Sequence, residues 1–106
     1  MLSLNDYQIN AWSYALSQSR STMYLLAGLV GEQGEFASEI AKAQRDGTSI
    51  EKFSGNVKKE LGDILWFVSA FCSHYGFTLE DVAQTNLDKL ESRRQRGTIQ
   101  GSGNDR

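Results

Sequence analysis

An all-α fold is predicted, and three observations predict it. Apolar residues recur at helical spacing along most of the chain, with no sustained period-two alternation of the kind strands require. There is no proline, and the ten glycines sit mostly at segment ends or inside two short acidic motifs. Capping-box-like starts, Ser3-Leu4-Asn5-Asp6 and Thr78-Leu79-Glu80-Asp81, stand just before two of the periodic segments. At 106 residues the chain has room for one domain with a single modest core.

Taken in order, the first helix is predicted from about residue 4 to 18, on Leu4, Tyr7, Ala11, Tyr14 and Ala15. The polar stretch Ser17 to Thr22 separates it from a second helix carrying Met23, Leu26, Val30, Phe36 and Ile40 to about Arg45, ended by Asp46-Gly47. Residues 46 to 55 read as a mixed connector with a short helical turn at most. Asn56 is the expected N-cap of a third helix through Leu61, Ile64, Leu65, Val68, Phe71 and Cys72, closed by Gly76. A fourth helix runs from Thr78 through Val82, Leu87 and Leu90 to near Gly97. This makes residues 1–97 a single helical domain, with 98–106 a polar, glycine-rich C-terminal tail whose composition reads as disordered.

Bulk composition narrows the function classes. A net charge of −2 supplies no general attraction to nucleic acid or to anionic membranes, so neither is an expected partner. Cys72 is the single cysteine, which excludes an intrachain disulfide and suits a reducing cytoplasm. The first residues carry neither a basic n-region nor an apolar h-region, and no apolar run reaches membrane-spanning length, so a cytoplasmic location is expected.

The chemistry is concentrated in Glu32-Gln33-Gly34-Glu35 and Glu60-Leu61-Gly62-Asp63. In each motif the two acids lie three residues apart, hence on one side of a helix, and Glu39 extends the first row by a further turn. Such pairs are common on solvated faces, but these two border the apolar Leu29-Val30 and Ile64-Leu65-Trp66-Phe67, where charge needs a reason. Each motif also holds a mid-helix glycine, at a cost of about 1 kcal/mol relative to alanine, which is expected where another backbone or a ligand comes close. Four carboxylates gathered from two helices repel one another unless a cation holds them. Glu32, Glu35, Glu60 and Asp63 are therefore candidate metal ligands. An all-carboxylate set suits Mg²⁺ or Mn²⁺, with remaining positions left to water and substrate phosphates. A di-iron bundle would call for Glu-x-x-His motifs, and the only histidine, His74, is preceded at that spacing by Phe71.

Basic groups that suit a polyphosphate cluster in the fourth helix, where Asn86, Lys89 and Arg93 form one stripe. Arg94 and Arg96 are equally explained by the helix dipole. Trp66, three residues beyond Asp63, reads first as core and second as a platform for a nucleobase.

Gly31-Glu32-Gln33-Gly34-Glu35 with the later Glu60-Leu61-Gly62-Asp63-Ile64-Leu65-Trp66 resembles the E-x-x-E…E-x-x-D signature of the MazG-like all-α nucleoside triphosphate pyrophosphohydrolases, and Asn86 to Arg93 with Arg96-Gly97 resembles that family's final helix. The resemblance covers roughly residues 22 to 97. It implies a compact four-helix protomer that assembles into a homodimer or homotetramer, and a nucleoside triphosphate as substrate. It also implies Mg²⁺-dependent cleavage between the α- and β-phosphates by water, giving a nucleoside monophosphate and pyrophosphate. Carried over by position, Glu32, Glu35, Glu60 and Asp63 become metal ligands or, for one of them, the group orienting water; Lys89, Asn86 and Arg93 become phosphate contacts. The competing reading is a non-enzymatic helical interaction module whose acidic stripe meets a basic partner.

Overall fold

The computed structural model describes residues 1–106 and contains four α-helices and no strands. Helix α1 spans Leu4–Trp12, α2 Thr22–Asp46, α3 Ile50–Tyr75 and α4 Leu79–Gln95, with one 3₁₀ turn at Ser17–Ser19. Each α-helix begins on a hydroxyl cap: Ser3, Ser21, Ser49 and Thr78 accept from the backbone N–H groups of Asp6, Tyr24, Lys52 and Asp81. Gly47 (φ 63°) and Gly76 (φ 78°) end α2 and α3 in the left-handed conformation open to glycine without strain.

Helices α2 and α3 are the body of the fold. They are 25 and 26 residues long and are joined by only Gly47-Thr48-Ser49, which makes them an antiparallel hairpin. They meet tightly at Gly28, where an added Cβ would overlap Cε1 and Cζ of the Phe67 ring. The motif glycines Gly34 and Gly62, read from sequence as marks of close approach, instead face open space, as does Gly31.

Two helix boundaries differ from the sequence expectation. α1 stops at Trp12 rather than near residue 18: the Ser13 hydroxyl donates to Asn10 O at 2.6 Å, and Arg20 folds back to lie 4.7 Å over the Trp12 ring. α3 starts at Ile50, not Asn56, because Ser49 supplies the cap and Gly55 is absorbed into the helix at its propensity cost. The tail is also ordered by its own hydrogen bonds, with Arg106 donating to the carbonyls of Thr98, Ile99 and Gly103.

α1 locks the end of the hairpin to α4 through polar contacts. Buried Gln8 donates to Ser73 Oγ (3.1 Å) and Phe77 O (2.9 Å) and accepts from the Leu79 N–H (2.7 Å), a first-turn donor that has no partner within its helix. Asn5 does the same for the Glu80 N–H. α4 packs on α1 and the end of α3, and none of its Cα atoms comes within 8 Å of α2.

The protomer is consequently open. Its radius of gyration is 16.7 Å, against about 13 Å for a compact domain of this length. Only 9 of 106 residues are buried, so much apolar surface is left uncovered, including Leu26 and Val30 on α2, Leu61 and Leu65 on α3, and Leu87 and Leu90 on α4. No helix is long and apolar enough to cross a membrane.

Two alanine substitutions should act with opposite sign. Gly28→Ala is expected to destabilise by about 1–3 kcal/mol through overpacking against Phe67. Gly55→Ala, on an exposed face with nothing nearby, should stabilise by up to about 1 kcal/mol. Urea unfolding of both variants reads this directly, and stabilisation by Gly28→Ala would contradict the packing described.

Candidate functional site

The hairpin register builds the acidic cluster. One helical turn onward from Gly28 is Glu32; one turn back from Phe67, across the hairpin, is Asp63. A further turn brings Glu35 and Glu60 to the same level. Carboxylate oxygens of Glu32, Glu60 and Asp63 lie within 4.8 Å of one another. Glu32 and Glu60 are half-buried, and Asp63 is exposed.

Nothing within the protomer neutralises this cluster. The ion pairs of the chain are Lys42–Glu39, Arg45–Asp46 and Arg94–Glu91, none of which involves the four motif acids. Oε2 of Glu32 and Oε2 of Glu60 are buried without any hydrogen-bond partner, where a buried carboxylate oxygen ordinarily has one. Burial, then the charges of Glu35 and Asp63, a side-chain hydrogen bond shared with Glu35 and the charge of Glu60, push the Glu32 carboxyl above its ordinary value. Glu60 is likewise raised, by burial first and then by Glu35, Asp63 and Glu39. Close like charges with unpartnered oxygens and no nearby cationic side chain are a donor set that fits a hard divalent cation. Glu35 is exposed and outside the tight triplet, though its charge is felt by both Glu32 and Glu60. Glu39, a turn further, is engaged by Lys42 at 3.7 Å.

The other sequence candidates fall elsewhere. The indole N–H of Trp66 donates to Ala11 O at 3.1 Å, and its ring meets Phe67 edge-on at 5.0 Å, so the side chain ties α1 to the hairpin. Lys89 and Arg93 share a face of α4, but both are engaged by Asn104 of the tail, and Arg93 is 6% exposed. Asn86 is exposed on the same helix. No hydrogen bond or ion pair joins this basic stripe to the acidic cluster.

Sequence reading also missed the place of Tyr7. Its phenol is half-buried beside the cluster, and burial and then the charge of Asp63 raise it above the usual tyrosine value. Its position in the apolar row of α1 marked it only as an aromatic; the packing of α1 on α3 is what brings it to the acids.

The family profile described as "MazG nucleotide pyrophosphohydrolase domain" matches residues 20–98. The chain is 42% identical over 85 residues to the "Gene 37 protein" of Mycobacterium phage L5, covering 78% of this chain and 75% of that protein. No solved structure matches the chain. The matched segment contains α2, α3 and α4, and therefore every motif acid and the whole basic stripe.

The raised carboxyls predict a pH signature. A carboxyl whose folded value lies above its unfolded value contributes stability that is complete below the unfolded value and is lost as pH rises through the folded one. In metal-free buffer, Glu32→Gln should match the unmodified protein in melting temperature below the ordinary glutamate value of 4.5 and exceed it by a few degrees near neutrality. Melts in chelator across that range test the sign; a variant less stable than its parent at neutral pH would refute it.

Proposed function

Because the chain belongs to the MazG nucleotide pyrophosphohydrolase family, we propose that it is a Mg²⁺-dependent hydrolase converting a nucleoside or deoxynucleoside triphosphate to its monophosphate and pyrophosphate, with Mn²⁺ as a substitute ion. The observation that carries this reading is the uncompensated carboxylate cluster on the α2–α3 hairpin, with its two buried, unpartnered oxygens.

Glu32, Glu60 and Asp63 would hold the ion, which when bound supplies charge neutralisation at the phosphate oxygens. Glu35, one turn along α2 from Glu32, exposed and in side-chain contact with it, would orient a water toward the α,β-anhydride and take its proton. Water adds to phosphorus, the anhydride P–O bond breaks, and pyrophosphate leaves. Lys89, Asn86 and Arg93 are the proposed phosphate contacts, and the half-buried Trp66 ring, a turn beyond Asp63, is the proposed neighbour of the base. The setting proposed for this chemistry is the cytoplasm.

Since α4 stands away from α2, closing the basic wall on the acidic one falls to assembly of protomers. A homodimer or homotetramer is proposed on the strength of the open apolar surface. The outward-facing Gly31, Gly34 and Gly62 beside Leu26, Val30, Leu61 and Leu65 leave a flat surface on which another helix can pack. Light scattering at micromolar concentration should give at least twice the 11.8 kDa of one chain, and a monomer mass would contradict assembly.

Pyrophosphate release from a panel of nucleoside triphosphates, with and without MgCl₂, tests the activity. Glu35→Gln should lower it by about 100-fold or more while leaving the helical circular dichroism intact. Full activity in that variant would remove Glu35 from the mechanism. Absence both of turnover and of any Mg²⁺-dependent rise in melting temperature would favour the non-enzymatic interaction module.

A further inference from the structure

The tail does not hang free of α4. Asn104 places two oxygens against its basic stripe: the side-chain Oδ1 accepts from Lys89 Nζ at 3.1 Å, and the main-chain carbonyl accepts from Arg93 Nη2 at 2.6 Å. Arg96 Nη2 adds a bond to Arg106 O at 2.9 Å. The loop is clasped by Arg106, whose guanidinium donates to the carbonyls of Thr98 (3.1 Å), Ile99 (2.9 Å) and Gly103 (2.6 Å). Gly97, Gly101 and Gly103, all at positive φ, let the chain turn back on itself in so few residues.

Both acceptors that the tail offers to Lys89 and Arg93 are neutral amide oxygens of Asn104, and Asp105 pairs with neither cation. Arg93 is meanwhile buried with its Nε lacking any acceptor. A neutral oxygen pair bridging a lysine and an arginine occupies the positions that two oxygens of a polyphosphate would take, and a charged oxygen makes the stronger bond to either cation. The tail therefore satisfies the stripe well enough to cover it, and less well than an anion would.

We propose that residues 98–106 form a strap that covers the Lys89–Arg93 stripe through Asn104 and is displaced by the polyphosphate of the substrate, so that the tail sets the apparent substrate affinity. This rests on the reading of Lys89 and Arg93 as phosphate contacts. It makes Arg106, which touches no part of the acidic cluster, a determinant of KM and not of kcat.

The test uses the 106-residue chain, inorganic tripolyphosphate without metal as probe, and Arg106→Ala as the variant that opens the clasp. In the unmodified protein, the ¹H–¹⁵N heteronuclear NOE values of Gly101, Gly103 and Asn104 should fall as tripolyphosphate is added, since the strap is released. By calorimetry, Arg106→Ala should bind the probe roughly tenfold more tightly, the scale of losing a competing hydrogen bond to a charged group. With triphosphate substrate, it should lower KM by a similar factor at unchanged kcat. Unchanged NOE values, equal affinity of the two proteins, or no binding of the probe would each overturn the strap. The two readings separate cleanly. Turnover with identical KM in both proteins and an unresponsive tail leaves the hydrolase standing and removes the strap. A released tail and tighter probe binding without turnover of any triphosphate does the reverse.

Discussion

The seat of the Phe67 ring on Gly28 is the contact on which the rest of the molecule depends. It sets how far α3 is slid along α2, and a helical turn on either side of it brings Glu32 to Asp63 and Glu35 to the level of Glu60. A side chain on residue 28 would hold the helices apart or shift them, and the carboxylates would not converge. The packing of an apolar ring thus determines the position of the charges. This is also why a fold with so few buried residues keeps a defined site: the precision lies in one contact between two long, well-capped helices.

The cluster itself works against the fold. Glu32 and Glu60 are held above their ordinary protonation range by burial and by their neighbours, and two of their oxygens have no partner. A protein retains such an arrangement where a ligand resolves it, and a divalent cation resolves it with the donors already present. The same logic runs at α4 with the sign reversed. There Lys89 and Arg93 share one face of the helix, and neutral amide oxygens of Asn104 meet them.

The protomer's openness belongs to the same account. α4 is fastened at its start by Gln8 and Asn5 of α1 and then diverges from α2, leaving apolar side chains on three helices exposed.

Much of this was legible in the sequence, because it depends on local chemistry. Helical spacing, the absence of proline and the capping-box starts at Ser3 and Thr78 specify four helices without reference to any distant contact. The i, i+3 spacing of the acids puts each pair on one helix side whatever the tertiary fold. What only the tertiary structure decided follows from interactions between segments far apart in the chain. The end of α1 is accompanied by Arg20 reaching Trp12, whereas the start of α3 at Ser49 is a local cap that the sequence reading passed over in favour of Asn56. Gly34 and Gly62 looked like points of close approach, yet the close approach is at Gly28, because only the packed register shows which glycine meets a ring. The tail, polar and glycine-rich, carries no local signal for order and is nonetheless fastened by Arg106 and Asn104 to groups that only the fold brings within reach. Residue type and spacing determined which groups could act together; the hairpin register and the path of α4 decided which of them meet.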